Sequence, residues 1–287
     1  MSQQNWRNVY FTSDDGLRLY ARDYGPFDSK YPAVLCLAGI TRNSKDFHHV
    51  ASRLAQSRRV IVPDFRGRGL SEYASDWKTY QPHVEMADAL KLLDNSGVDK
   101  FAVIGTSRGG LISMVMGQTV KDRLAGVVLN DIGPKLEDDG LIRIADAFTE
   151  RTLHTDWQEV ADSLKDYSTG FSGLNKAEWM EFAQNLYREK DGTIEADYDF
   201  NLTKTFPDAD FIRLGRIPEA WDLFAGFSGL PVGVIRGENS DLLSIKTVEK
   251  MQQAHNGLIT ATVPNRAHVP FLNEPEAVDV IDKILDQ

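Results

Sequence analysis

Phe101-Ala102-Val103-Ile104-Gly105-Thr106-Ser107-Arg108-Gly109-Gly110 is the stretch on which the reading of this chain turns. A short, wholly apolar run stops at a Gly-x-Ser-x-Gly, and residues 109–120 then carry a helical pattern. A turn from strand to helix that tight needs small residues on both sides of the serine, and it holds the hydroxyl exposed at the carboxyl end of the strand. The pentapeptide alone is a weak signal. Set between a buried strand and a helix it is a strong one, a nucleophile elbow with Ser107 at its tip.

Working outward, similar apolar runs recur at 33–37, 60–62, 126–129, 231–235 and 258–263. They do not alternate polar with apolar, so both faces of each should be covered, as in a parallel sheet between helices. Helical spacing at 46–57, 84–95, 245–255 and 274–285 supplies those layers. Ahead of them, 8–13 and 17–23 flank Asp14-Asp15-Gly16 and read as a hairpin. Strand–helix alternation of this kind implies right-handed crossovers and a doubly wound α/β sheet. The rhythm breaks at 134–228, a segment with helical patterns and no convincing strand that holds half of the chain's aromatic residues. We expect a helical insert packed over one end of the sheet.

Composition narrows the function. The chain has 287 residues, 42% hydrophobic and 26% charged, with a net charge of −10. That balance is globular, and its acidity disfavours nucleic acid or an anionic membrane as partner. A single cysteine, Cys36, excludes an internal disulfide framework and any Cys-cluster metal site. Residues 1–10 are polar, so no signal peptide is visible, and no apolar run is long enough to span a bilayer. The expectation is a soluble, cytoplasmic protein with a small-molecule substrate. An acidic surface suits a monomer or a homodimer equally. With no His-Glu-x-x-His, no P-loop and no Gly-x-Gly-x-x-Gly turn, neither a metal nor any other cofactor is expected.

A serine is a poor nucleophile near neutral pH unless a base takes its proton and an acid orients that base. Behind this kind of elbow the base comes last in the chain, which leaves His154, His255 and His268. His154 falls in the insert, and His255 sits where a helix C-terminus already welcomes a cation. His268, in the loop Pro264-Asn265-Arg266-Ala267-His268-Val269-Pro270, follows the last strand and emerges at the same sheet edge as Ser107. For the acid, chain order favours Asp241, in Arg236-Gly237-Glu238-Asn239-Ser240-Asp241, over Glu238 beside it and over the rival Asp131 at the end of 126–129. The backbone N–H groups of Arg108 and Ile40 are the expected oxyanion donors, Gly39 allowing close approach. Arg42 and Arg108 are candidates for a substrate carboxylate, and the insert aromatics, Trp157 and Trp179 among them, for an apolar lid.

Ala38-Gly39-Ile40, Pro63-Asp64-Phe65-Arg66-Gly67-Arg68-Gly69-Leu70-Ser71, the elbow, Asp241 and His268 together resemble the α/β-hydrolase family. The resemblance is to its capped branch, with carboxylesterases, lactonases and C–C hydrolases of aromatic ring cleavage. It implies an eight-stranded, mostly parallel sheet flanked by helices, a core from 1–133 and 229–287, and a helical cap over 134–228 that sets substrate choice. It further implies a serine hydrolase acting on an ester or lactone through an acyl-enzyme. C–C bond hydrolysis of a diketo acid, amide hydrolysis, and ligand binding without turnover are the alternatives. Two departures stand out. Ala38 occupies a position where members often carry histidine, and Ser107 stands where dehalogenating and epoxide-opening branches carry aspartate.

Overall fold

The computed structural model describes residues 5–148 and 151–286, so positions 1–4 of the polar start, 149–150 of the insert and 287 lie outside the described residues. The chain enters through the antiparallel hairpin β1 (Trp6–Thr12) and β2 (Arg18–Tyr24). Then come β3 (Ala33–Leu37), α1 (His48–Leu54), β4 (Val60–Asp64), α2 (Pro82–Asn95), β5 (Phe101–Thr106), α3 (Arg108–Thr119) and β6 (Leu124–Asn130). An insert follows, with α4 (Asp138–Ala147), β7 (Leu153–His154), α5 (Trp157–Tyr167), α6 (Lys176–Leu186), β8 (Tyr187–Lys190), β9 (Thr193–Ala196), α7 (Ala209–Arg213) and α8 (Trp221–Ala225). The chain then returns through β10 (Val232–Gly237), α9 (Ile245–Ala254), β11 (Ile259–Val263) and α10 (Pro275–Leu285).

The main sheet has eight strands in the order β1-β2-β4-β3-β5-β6-β10-β11, parallel from β4 to β11. Successive side chains of a strand point to opposite faces, and here both faces are apolar. Leu35, Leu37, Val103 and Leu129 pack on one face with Leu92 of α2, Met114 of α3 and Met251 of α9. Val34, Cys36, Ile104 and Val128 pack on the other with Val50 of α1 and Ile281 of α10. This two-sided burial is why the runs do not alternate in sequence. Cys36 is one of these core residues, and burial alone pushes its thiol far above the usual range, leaving it unreactive.

The insert is not purely helical. β7, β9 and β8 form a three-stranded antiparallel sheet, a correction to the strandless segment expected from its sequence. These strands are two to four residues long and too brief for periodicity to register. The legible signal was the turn between β8 and β9, Asp191-Gly192, both at positive φ (52° and 76°), the hairpin pair that β-turn chemistry favours.

The 64–71 run and α2 hold the sheet edge together through buried charges. Glu85 of α2 is fully buried and accepts from Arg68 Nη1 (2.5 Å) and from Arg108 Nε (2.7 Å). Burial raises the Glu85 carboxyl, but the two guanidiniums more than offset it, so it stays ionised and below its ordinary value. Arg68 also donates to the Ile40 carbonyl (2.7 Å), and Arg108 to the Tyr80 carbonyl (2.8 Å). Removing one partner of such a cluster strands the others without water. Glu85→Gln should therefore cost about 3–5 kcal/mol in urea unfolding. A loss below about 1 kcal/mol would show that the cluster is relaxed or hydrated.

Candidate active site

Ser107 sits between the last residue of β5 and the first of α3, at φ 51° and ψ −116°, a conformation a side chain rarely adopts. Neighbouring glycines make the turn possible. A Cβ on Gly105 would lie 2.6 Å from the Gly109 carbonyl oxygen, and one on Gly109 2.0 Å from that of Leu37. One on Gly110 would meet Ile132 Cγ2 at 2.2 Å. α3 is thus pressed on β3 and on the turn after β6, which points the Ser107 hydroxyl out over the sheet edge.

His268, in the loop after β11, lies 3.0 Å through Nε2 from Ser107 Oγ. Its Nδ1 lies 2.8 Å from Oδ2 of Asp131, the residue directly after β6. Asp131 is completely buried and at φ 52°, and its carboxylate also accepts from the Gly237 N–H (2.8 Å) and the Ser240 hydroxyl (2.6 Å). A carboxylate only accepts, so the proton between them belongs to His268 Nδ1, and in the neutral form of an imidazole that leaves the Nε2 lone pair facing the serine hydroxyl.

The preferred acid of the sequence analysis, Asp241, is not in this chain of bonds. Its two oxygens take a bidentate pair from Arg143 of α4, Nε at 2.5 Å and Nη2 at 2.9 Å. Glu238 braces the 264–274 loop by accepting from the Asn265 N–H (3.0 Å). The rival, Asp131, is the residue the fold delivers to His268, because β6 and β10 are parallel neighbours and the turn after β10 closes over the end of β6. Ser240 and Gly237, which hold Asp131 in place, carried no signal in the sequence.

The 38–43 loop runs beside the serine, and a Cβ on Gly39 would lie 3.7 Å from that of Ser107. Arg108 is the first residue of α3, so its amide has no acceptor within the helix. The Ile40 carbonyl is held by Arg68, which fixes the peptide plane around it. The Arg108 side chain, by contrast, turns back to Glu85 and Tyr80, which removes it as a carboxylate binder.

Over Ser107 and His268 opens a cavity of about 440 Å³, most of whose lining comes from the insert. Its walls include Ile144, Leu164, Phe171 and Phe182 with the hydroxyls of Ser163, Tyr187 and Tyr198. Burial pushes the Tyr198 phenol up to about 12, so it stays protonated and able to donate. Arg42 reaches this wall, stacked over Phe182 at 4.6 Å and paired with Asp46 (2.5 and 2.9 Å). Trp157 and Trp179 do not reach it. They pack with Val160, Ala161, Ala183 and Ile194 as the insert's own core. Among the described residues no group of three or more His, Cys, Asp or Glu could hold a metal ion, and no helix is long and apolar enough to cross a membrane.

Burial raises the Asp241 carboxyl and Arg143 more than offsets it, leaving it below its ordinary value. Above the unfolded value the anion stabilises the contact of α4 with the 238–242 loop, and the gain is lost as pH falls through the lowered folded value. Asp241→Asn should therefore lower Tm at neutral pH, with the gap to wild type closing below about pH 3.9. A gap that persists unchanged into that acid range would show that the ion pair is not its source.

Comparison with known proteins agrees with this architecture. The family model described as the alpha/beta hydrolase fold matches residues 32–275. A 3-hydroxybutyrate-oligomer hydrolase of Cupriavidus necator is 32% identical over 262 residues, 88% of each chain. A soluble epoxide hydrolase of a Corynebacterium species is 30% identical over 204 residues, 69% of this chain and 65% of its own. The crystal structure of an alpha/beta hydrolase from Novosphingobium aromaticivorans superposes with a TM-score of 0.91 at 36% identity, covering 99% of both chains.

Proposed function

Since the chain belongs to the α/β-hydrolase fold family and is a hydrolase, we propose that it cleaves carboxylic esters through an acyl-enzyme on Ser107. The observation that carries this reading is the unbroken line Asp131–His268–Ser107, at 2.8 and 3.0 Å. Ser107 Oγ attacks the ester carbonyl while His268 Nε2 takes its proton. Asp131 holds the ring in the tautomer that can do so, and favours the imidazolium that forms. The N–H groups of Arg108 and Ile40 receive the oxyanion. Collapse expels the alcohol with the proton from His268, and a water activated by the same imidazole then releases the acid.

The insert, in this reading, acts as the cap that chooses the substrate. Its cavity is of the size that holds small ligands, with apolar walls and a few hydroxyls. That suits an ester or lactone of a short hydroxyacid, and the relative from Cupriavidus necator is named a 3-hydroxybutyrate-oligomer hydrolase. C–C hydrolysis is less well supported, because Arg42 and Arg143, the two guanidiniums in the cavity wall, are both bound to acids of the protein. Epoxide opening is disfavoured by Ser107 at the position where such enzymes carry aspartate.

The reading predicts that a fluorophosphonate adds one adduct to the wild type and none to Ser107→Ala, measured by intact mass. Asp131→Asn should lower kcat on a short-chain p-nitrophenyl ester about 10⁴-fold by forcing the wrong tautomer. Asp241→Asn should stay within about tenfold of wild type, since its carboxylate lies outside the hydrogen-bonded line. If Asp241→Asn proved the more damaging of the two, Asp131 would lose its assigned role. A wild type that takes no adduct would sink the serine mechanism.

A further inference from the structure

Beside the main cavity lies a smaller chamber of about 80 Å³. Arg42, Thr106, Phe182 and Val269 line both, so these four residues form the partition. Phe182 is held there by Phe271 (5.4 Å), by Trp179 (5.9 Å) and by the Arg42 guanidinium over its ring. The side of the chamber nearest the serine is polar and buried. Asn130, 1% exposed, donates through Nδ2 to Thr106 Oγ1 (3.1 Å) and to the Pro270 carbonyl (3.0 Å). Its Oδ1 is buried without a hydrogen-bond partner among the described residues.

The inventory of donors and acceptors makes this pair specific. Thr106 Oγ1 accepts from Asn130, which leaves the hydroxyl proton of Thr106 to be given. Among the described residues a free acceptor and a free donor therefore stand side by side, one peptide bond from Asp131 and one from Ser107. A buried carbonyl oxygen left unpaired is costly, and a water with two or more polar partners relieves that cost. Elsewhere in the chamber Arg42 is paired with Asp46 and Arg266 with Glu274, His49 lies against Glu181, and Glu178 accepts from the Asn175 N–H. A space of this size holds a small cluster of waters.

We propose that this chamber delivers the water that hydrolyses the acyl-enzyme, with Thr106 and Asn130 as positioning residues. The inference rests on the serine mechanism proposed above. An acyl group that fills the main cavity bars water from that side, and the small chamber supplies it through the partition. The water oxygen bonds to the acyl carbon as His268 Nε2 takes one of its protons. The bond from Ser107 Oγ to that carbon then breaks, the proton passes from His268 to Ser107, and the free acid leaves.

The test separates the two half-reactions with p-nitrophenyl trimethylacetate, whose bulky acyl group leaves slowly. Single-turnover release of p-nitrophenolate reads acylation, and decay of the acyl adduct by intact mass reads deacylation. Thr106→Val removes the hydroxyl at nearly constant volume. Leu174→Trp, in a wall of the small chamber only, fills it from the insert side and stands in should the first variant fail to fold. In both, deacylation should slow by about tenfold or more, while acylation and fluorophosphonate labelling stay within about twofold of wild type. A purely structural role would slow both steps together, and an idle chamber neither; either result overturns the proposal. Slower acylation alone would make the chamber a subsite for the substrate and overturn it equally. A wild type that forms no adduct with either reagent would instead remove the serine mechanism, and this inference with it.

Discussion

Two guanidiniums, those of Arg68 and Arg108, meet on the single buried carboxylate of Glu85, and much of the site depends on that meeting. Arg68 reaches from the 64–71 run to the Ile40 carbonyl, and Arg108 begins the helix that follows the serine. The two segments proposed to supply the oxyanion donors are therefore tied to one point on α2. Away from water an ion cluster of this kind holds only if every member is present. The charged residues of the 64–71 run therefore serve as ties between segments, and Arg108 faces inward instead of toward a ligand.

Around that point the site is assembled from carboxyl ends of parallel strands. β5 ends at the serine, β6 at Asp131, and β11 leads into the loop of His268. Ser107 and Asp131 both stand at positive φ, so each leaves its strand through a sharp turn instead of running on. Such conformations persist because neighbours over-determine them. For Asp131 those neighbours are the Ile235 carbonyl, the Gly237 amide and the Ser240 hydroxyl, all from β10 and the turn after it.

The insert is fastened at several separate places. Arg143 meets Asp241, Lys45 and Asn43 meet Asp197, and Ser172 meets Asn265. Between these ties it leaves two chambers, one large and lined mostly by the insert, one small with a buried polar corner at Asn130 and Thr106.

Much of this was legible from residue order. Apolar runs without alternation announced a sheet covered on both faces, the Gly-x-Ser-x-Gly between strand and helix announced the turn at Ser107, and the loop after the last strand pointed to His268. These are local signals, carried by residues adjacent in the chain. The small sheet of the insert escaped because its strands are too short to show a period, although Asp191-Gly192 marked its hairpin. Choosing Asp131 over Asp241 required the tertiary structure. Both acids follow strands of the sheet, and chain order favoured Asp241, which the structure pairs with Arg143. Only the parallel pairing of β6 with β10, and the competing claim of Arg143 on Asp241, decide which carboxylate meets the imidazole. Composition likewise could not say that Trp157 and Trp179 build the insert's own core while Phe182 and Tyr198 line the cavity over the serine. The sequence by itself determined the class of fold, and it pointed to a serine and a histidine at one edge of the sheet, because short-range patterning encodes them. Which carboxylate meets His268, and which residues wall the two chambers, were decided by contacts between segments a hundred residues apart, where side-chain direction and competing partners count and spacing along the chain does not.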